Sequence, residues 1–390
     1  MAEVTIYPGD CRESLKKLIE EGVRVHSVVA DPPYGLVSIQ KRFGKKTASA
    51  AKTDNNDGSF SRLSGGFMGK AWDATEIERD PEFWKLILDI LLPGGFVFAF
   101  SGSRTGHWQA CAMEQAGFIM HPMHGWVYGS GFPKGHRPKI DGWDGWAYGT
   151  QTQKPALEPI YLAQKPFSEK TGAANLLKHG VGAFNIDDCR VPSEEGSQRV
   201  DEPSQETRYT GRGSTNFAAK PGPRGGSPEG RYPSNLLLDD SECVKALFPE
   251  SPGQLAKATT TEKKAKNTYG DFKSDTGQEP RGDGGSASRF FHRFPDAAPI
   301  IYNKKANKSD RSGSKHPTVK PIALMQYLVR HITPPGGVVL DPFGGSGTTA
   351  EAAMREGFDC LLMEAEPEYV EFLTQRFGIQ KQAGKESEIQ

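Results

Sequence analysis

The sequence predicts an α/β fold, a doubly wound and mostly parallel sheet interrupted by a loop-rich insert. Three observations predict it. Short apolar strands alternate with amphipathic helices near both ends of the chain. Two of those strands run into turns rich in Asp, Pro and Gly: Asp31-Pro32-Pro33-Tyr34, and Asp341-Pro342-Phe343-Gly344-Gly345-Ser346-Gly347. The stretch between them is broken by Pro and Gly, in runs such as GRGSTNFAAKPGPRGGSPEG.

Taken in order, VTIYPGD reads as a strand ending in a turn. CRESLKKLIEE has helical spacing through Leu15, Leu18 and Ile19 and stops at Gly22. VHSVVAD is a buried strand that meets Pro32. From about Gly35 to Asp80 the chain is polar and aperiodic, and a loop that long is expected to be disordered or to work as a lid. DPEFWKLILDILLPGG predicts a helix capped by Asp80, with Pro81 in its first turn and Gly94-Gly95 at its stop. FVFAFS is the next strand, a helix follows around Gly106–Gln115, and GFIMHPMHGWVYG reads as one strand. Beyond Asp187 only RYPSNLLLDD and ECVKALF look ordered. The α/β pattern returns as the helix HPTVKPIALMQYLVRHI, the strand VVLD, the helix GTTAEAAMREG and the strand DCLLMEA. Four segments follow: 1–186 and 299–380 as two halves of one α/β domain, 187–298 as an insert, and 381–390 as a frayed tail.

Composition excludes several classes. No run of 18 apolar residues exists, so no transmembrane helix is expected. MAEVTIYPGD lacks the apolar stretch of a signal peptide, which predicts a protein that is not secreted. The five cysteines contain no C-x-x-C, which argues against a structural zinc site or a disulfide framework and for reduced cytosol. Net charge is zero, so overall charge alone does not attract nucleic acid. Arg190–Lys320 holds 22 Lys and Arg against 17 Asp and Glu; a solvated loop explains that mild excess as well as a DNA-facing surface does.

The chemistry is concentrated in the two turns. In VVLDPFGGSGTTAEAAMREG the glycines admit close approach of backbone to a ligand, and the helix start offers free N–H groups. The following strand ends in Glu364, where doubly wound folds place an acid on ribose hydroxyls. No Lys follows Gly347, so this is not a phosphate-cradling loop, and Asp341 at the strand tip suits an ammonium or sulfonium instead. Asp31 ends a buried strand, where open α/β sheets bind ligands. Pro32 and Pro33 stiffen that turn. It offers a carboxylate, a free carbonyl and the Tyr34 ring, which together fit a planar molecule carrying an exocyclic NH2. A simple strand terminator is the competing reading.

The two turns together resemble the S-adenosylmethionine-dependent amino-methyltransferases of DNA. The order, D-P-P-Y first and D-P-F-G-G-S-G-T-T second, is similar to the permuted β group, in which target recognition lies between catalytic and cofactor halves. The resemblance covers roughly residues 4–165 and 300–376. Gly345 stands where the family usually has Ala, Cys or Met. It implies a Rossmann-like class I methyltransferase fold, with Asp31, Pro32, Pro33 and Tyr34 catalytic. Asp341, Pro342, Phe343, Gly344, Gly345, Ser346 and Gly347 would line the cofactor, Glu364 its ribose and Asp10 its adenine. Thr318 and Lys320 would stand beside its carboxylate. It also implies base flipping, duplex DNA as partner, and a cytoplasmic protein of a prokaryote or phage in a restriction-modification setting, with a homodimer allowed. Asp in the first position of D-P-P-Y is commoner for adenine N6 and Ser for cytosine N4, so adenine is favoured and cytosine is the alternative. A protein-glutamine methyltransferase or a non-catalytic DNA-binding protein fits less well.

Other residues stand aside from this reading. His121 and His124, with Pro122 between them and no acid nearby, do not predict a metal site. Trp143 and Trp146 are expected to pack a loop onto the core more than to stack on bases. Arg104, Arg289, Arg293, Lys304 and Lys305 are candidates for phosphate contact, each more often simply solvated. Glu158 is expected near the substrate, without a role.

Overall fold

β1 (Val4–Pro8) pairs in parallel with β9 (Asp359–Glu364), its partner from the far end of the chain. Between them in sequence come, among others, β2 (Val25–Ala30), β3 (Leu91–Phe100), β4 (Ile119–Met120), β5 (His124–Val127), β6 (Leu157–Gln164), β7 (Leu236–Asp239) and β8 (Val338–Asp341). Through these nine strands the sheet runs β1-β9-β8-β2-β3-β6-β5-β7, with β4 also on β6, and the short strand His292–Phe294 follows at the β7 edge. Neighbours from β1 to β3 are parallel. Among these nine strands only β6 runs against the rest, a reversal the sequence does not announce. The computed structural model describes residues 2–34, 75–129, 131, 133, 135–149, 152–192, 229–251, 266–267, 270–271, 285–294 and 319–379. Most of the expected 35–80 loop, the tail from Gln380, and Thr318, Lys304 and Lys305 lie outside them.

Helices cover the sheet because their caps and apolar stripes agree. α1 (Cys11–Glu20) is capped by Asp10, whose Oδ1 accepts the Arg12 N–H at 2.8 Å. α2 (Pro81–Ile90) is capped by Asp80 on the Glu82 N–H at 3.0 Å. Arg12 also reaches Asp80 at 2.9 Å, which ties the two helix starts together. Leu15 and Leu18 of α1 and Phe83, Trp84, Ile87 and Ile90 of α2 are buried in one cluster with Val28 and Ala30 of β2 and Val97 and Ala99 of β3. Around the rest of the sheet lie α3 (Gly106–Gln115), α4 (Gly172–His179), α5 (Ile322–Ile332), α6 (Thr348–Glu356) and α7 (Pro367–Arg376).

Four local expectations are corrected. The helix from Asp80 ends at Ile90, not at Gly94-Gly95. Pro93 disfavours helical geometry at Leu92, and Leu91 already pairs with Val25; the register then slips to Ser27 opposite Phe96. GFIMHPMHGWVYG is two strands, β4 and β5, divided around Pro122, which has no N–H to offer a ladder. RYPSNLLLDD does not stay whole with the insert: Arg231–Ser234 remain in it, while β7 pairs in parallel with β5. The helix after Lys320 begins only at Ile322. α4, in GAANLLKHG, is an element not expected, although Thr171 caps it on the Ala174 N–H and Gly180 closes it at φ +71°.

The chain divides into two units. The first holds residues 1–185, 235–241 and 293–390, and the second 186–234 and 242–292. In the second, Val191 and Arg231 exchange backbone hydrogen bonds at 2.9 Å each way. The Arg231 and Arg289 guanidinium groups lie 4.9 Å and 4.4 Å from the centre of the Phe290 ring. Arg289 also donates to the Ser286 and Ser251 carbonyls, so it serves the unit's own structure and is not a solvated side chain.

Candidate active site

Four neighbouring strands end in carboxylates. β1, β9, β8 and β2 lie side by side in that order and run parallel. Asp10 follows β1, Glu364 ends β9, Asp341 ends β8 and Asp31 follows β2. All four therefore stand at the carboxyl edge of the sheet, the edge where open α/β sheets hold ligands.

The glycine turn is built onto this row. Gly344 N–H donates to the Met363 carbonyl at 2.7 Å, and Gly345 N–H to Glu364 Oε2 at 2.7 Å. A Cβ on Gly344 would sit 2.9 Å from Leu362 Cγ and 3.0 Å from the Met363 carbonyl oxygen, so the turn needs glycine there. Gly347 caps α6 at φ +78°. Glu364 Oε1 accepts the Glu366 N–H at 2.8 Å. Gly9 N–H reaches the Glu364 carbonyl at 2.8 Å, which brings the Asp10 turn beside it. Burial lifts the Glu364 carboxyl above the usual range, against the pull of its backbone N–H partners.

Asp341 is buried, and Oδ1 accepts the Phe343 N–H at 2.9 Å. Burial pushes its carboxyl up to about 7, although hydrogen bonds from Thr349 and Phe343 oppose this; Asp31 and Glu364 add to the rise. The charges acting on it are thus other carboxylates, an environment that calls for a cation. Thr349 as its partner escaped the sequence reading, although G-T-T follows the turn directly. The Phe343 ring packs 5.5 Å from that of Phe83.

The Asp31 turn has its own network. Asp31 Oδ1 accepts the Tyr34 hydroxyl at 3.0 Å, and Oδ2 accepts Lys320 Nζ at 2.6 Å. Lys320 also lies 3.0 Å from Glu158 Oε1 and 3.2 Å from the Tyr34 hydroxyl, and 4.4 Å from the centre of the Phe100 ring. The Tyr34 hydroxyl touches Glu158 as well. Thr105 Oγ1 donates to the Tyr34 carbonyl at 3.1 Å, pinning the end of the turn. Burial disfavours the Lys320 charge, but Asp31 and Glu158 outweigh it and hold the ammonium protonated above its ordinary range. Burial raises Glu158 despite Lys320, and with the neighbouring carboxylates raises the Tyr34 phenol well above its ordinary value.

The expected residues therefore fall into two groups. Asp10, Asp341, Phe343, the glycine turn and Glu364 come together, and Asp31, Tyr34, Glu158 and Lys320 come together. Lys320, expected beside the cofactor carboxylate, stands on Asp31. Glu158 gains a place the sequence left blank; its signal is an acid inside the apolar strand LEPIYLA. Trp143 and Trp146 are not packed onto the core: they are 50% and 62% exposed and meet each other edge to face. Arg293 pairs with Asp240 at 3.5 Å. Among the described residues no cluster of His, Cys, Asp and Glu could hold a metal ion, and no helix is long and apolar enough to cross a membrane.

Comparison with known proteins follows the same lines. The family model described as DNA methylase matches residues 25–376. Type II methyltransferase M.HindIII of Haemophilus influenzae is 26% identical over 206 residues, 46% of this chain and 64% of that protein; the chain thus matches less than two thirds of that relative's length. The crystal structure of the M1.HpyAVI–SAM complex overlays 96% of this chain and 99% of its own at 16% identity and a TM-score of 0.42. PvuII DNA methyltransferase, cytosine-N4-specific, overlays 98% and 89% at 16% identity and 0.42. At that overlap the fold rests on the chain's own strand order.

Proposed function

The chain belongs to the N6/N4 DNA methylase family, and from that premise we propose that it transfers a methyl group from S-adenosylmethionine to the N6 amine of a flipped adenine in duplex DNA. Asp31 carries the reading. Its carboxylate stands at the carboxyl edge of β2, next to the strand that ends in Asp341.

The donor set fits the cofactor. Asp341 suits a cationic sulfonium or ammonium, and the Asp10–Glu364 corner suits the hydroxyls and amine of a nucleoside. S-adenosylmethionine, when bound, supplies an electrophilic methyl group on a sulfonium. The work of this chain lies on the other reactant. An aromatic amine is a weak nucleophile, because its lone pair is shared with the ring. Asp31 and the Pro32 carbonyl accept the two amine hydrogens and draw the nitrogen toward tetrahedral geometry, which localises the lone pair. Positioning of this kind lowers a barrier by roughly 7–11 kcal/mol. Unstacking the base costs a few kcal/mol, and stacking on Tyr34 returns about 1–3 kcal/mol.

Asp at the head of the turn favours adenine through the resemblance. Cytosine N4 is the second reading, because an acceptor for an exocyclic amine serves either base. Base-resolved sequencing of host DNA, with and without the protein, separates them. The expected result is one recurring short sequence methylated at adenine N6, and absent with Asp31→Ala. Marks at cytosine N4 replace the first reading by the second, and no new mark sinks both.

A further inference from the structure

We propose that Lys320 reads the ring nitrogen beside the target amine, so that Asp31 and Lys320 together recognise the N=C–NH2 edge common to adenine and cytosine. The inference rests on the amino-methyltransferase reading above and adds a specificity-determining residue to it. It starts from the Tyr34 hydroxyl. That group lies 3.0 Å from Asp31 Oδ1, touches Glu158 Oε1, and accepts from Lys320 Nζ at 3.2 Å; its one hydrogen serves one of the two carboxylates at a time. The target edge has the same polarity. Its NH2 donates, and the adjacent ring nitrogen, N1 of adenine or N3 of cytosine, accepts. The tyrosine hydroxyl therefore satisfies the pair that the base edge would satisfy.

The proton count supports the match. An ammonium has three hydrogens. In this structure they face Asp31 Oδ2 at 2.6 Å, Glu158 Oε1 at 3.0 Å and the Tyr34 hydroxyl. When the Tyr34 ring turns to stack on a base, one ammonium hydrogen and Asp31 Oδ1 are released together. Lys320 is only 4% exposed, so water does not readily replace the lost partner, and a buried donor without an acceptor is penalised. Glu158 keeps hold of the ammonium while Asp31 turns to the amine. The same arrangement rejects keto bases. Thymine N3 and guanine N1 carry a hydrogen, which would point at the ammonium. The net rise in the Lys320 pKa, with Asp31 and Glu158 prevailing over burial, keeps the donor protonated at neutral pH.

The test uses the full chain and a duplex bearing the methylated sequence found by DNA sequencing. The target adenine is replaced by 1-deazaadenine, which keeps the amine and exchanges N1 for C–H, or by 3-deazaadenine, which keeps N1. Wild type is expected to lose about tenfold to a hundredfold in kcat/KM on the 1-deaza duplex, and much less on the 3-deaza duplex. Easier flipping of the poorly paired 1-deaza base predicts the opposite sign. Lys320→Met is expected to be slower on ordinary DNA and to treat the ordinary and 1-deaza duplexes alike within about twofold; a merely structural lysine would leave the discrimination intact. If that variant does not fold, the two wild-type ratios still decide. If the methylated base is cytosine, 3-deazacytosine takes the place of the 1-deaza base. An active wild type indifferent to the ring nitrogen, or a folded Lys320→Met that discriminates as wild type does, overturns this inference alone. A wild type that methylates no ordinary duplex overturns the function itself.

Discussion

The backbone N–H of Gly345 donates to Glu364 Oε2 at 2.7 Å, across the gap between β8 and β9. Glu364 thus shapes the glycine turn from the neighbouring strand, while its Oε1 holds the Glu366 N–H. Glu364→Ala leaves both N–H groups without their acceptor. The expected cost is about 1–3 kcal/mol in S-adenosylmethionine affinity. Calorimetry checks this, and unchanged affinity would remove Glu364 from the cofactor site.

Asp341 predicts a pH dependence. Its folded-state pKa is about 7, raised from 3.8 chiefly by burial. Between about pH 4 and pH 7 the native state holds a proton that the unfolded state has released. Stability therefore falls as pH rises through that window and levels off above it. A cation favours the ionised form, so S-adenosylmethionine affinity should rise with pH up to about 7. In Asp341→Asn both slopes should flatten. Denaturant titrations and calorimetry at pH 5, 6, 7 and 8 read the two slopes, and an unaltered slope in the variant refutes the assignment.

Asp31→Ala should abolish methyl transfer and leave cofactor binding within about twofold. Asp31 faces Tyr34 and Lys320, while the glycine turn hangs on Glu364 and Met363. Single-turnover assays decide: a variant retaining more than about 5% of the wild-type rate refutes the role given to the carboxylate.

Gly347→Ala should destabilise the chain by about 2 kcal/mol or more. Its φ of +78° costs roughly 1–2 kcal/mol in an L-residue. The new Cβ would also meet Leu373 Cδ2 at 2.6 Å and Phe377 Cε2 at 2.8 Å. Urea unfolding measures it. Gly142→Ala, with φ +83° and nothing within 4 Å, isolates the backbone part.

Target choice is expected to lie in the second unit. Exchanging residues 186–234 and 242–292 together for a relative's, with β7 kept, should transfer the relative's methylation sequence. A chimera that is active on the original sequence places specificity in the first unit instead.

Much of this architecture is legible in the sequence, for identifiable reasons. β2 and β8 announce themselves because an apolar run followed by Asp-Pro has few other readings. Asp341 and Glu364 could be grouped because the ends of parallel strands share an edge, and Asp10 joins them through the family resemblance. What stays hidden is non-local. Lys320 lies 289 residues from Asp31, and no spacing rule joins them. The reversal of β6 leaves no mark, since an apolar strand reads the same in either direction. β7 looks ordered in sequence, but the Pro- and Gly-rich chain around it conceals that it belongs to the main sheet. The end of α2 is hidden because LILDILL keeps its helical stripe past the point where Leu91 pairs with Val25.

The pairing of β1 with β9 also bears on how the protein is made. Glu3 and Asp359, which hydrogen-bond at the edge of that pair, are 356 residues apart. At about 5–20 residues per second, a ribosome delivers the second roughly 18–70 s after the first. Throughout that interval Val4–Pro8 has no β9 to pair with, and an unpaired strand edge invites association with other nascent chains. Translation in the presence of trigger-type holdase chaperones should therefore raise the soluble yield, and moving β1 to follow β9 by circular permutation should lessen the benefit.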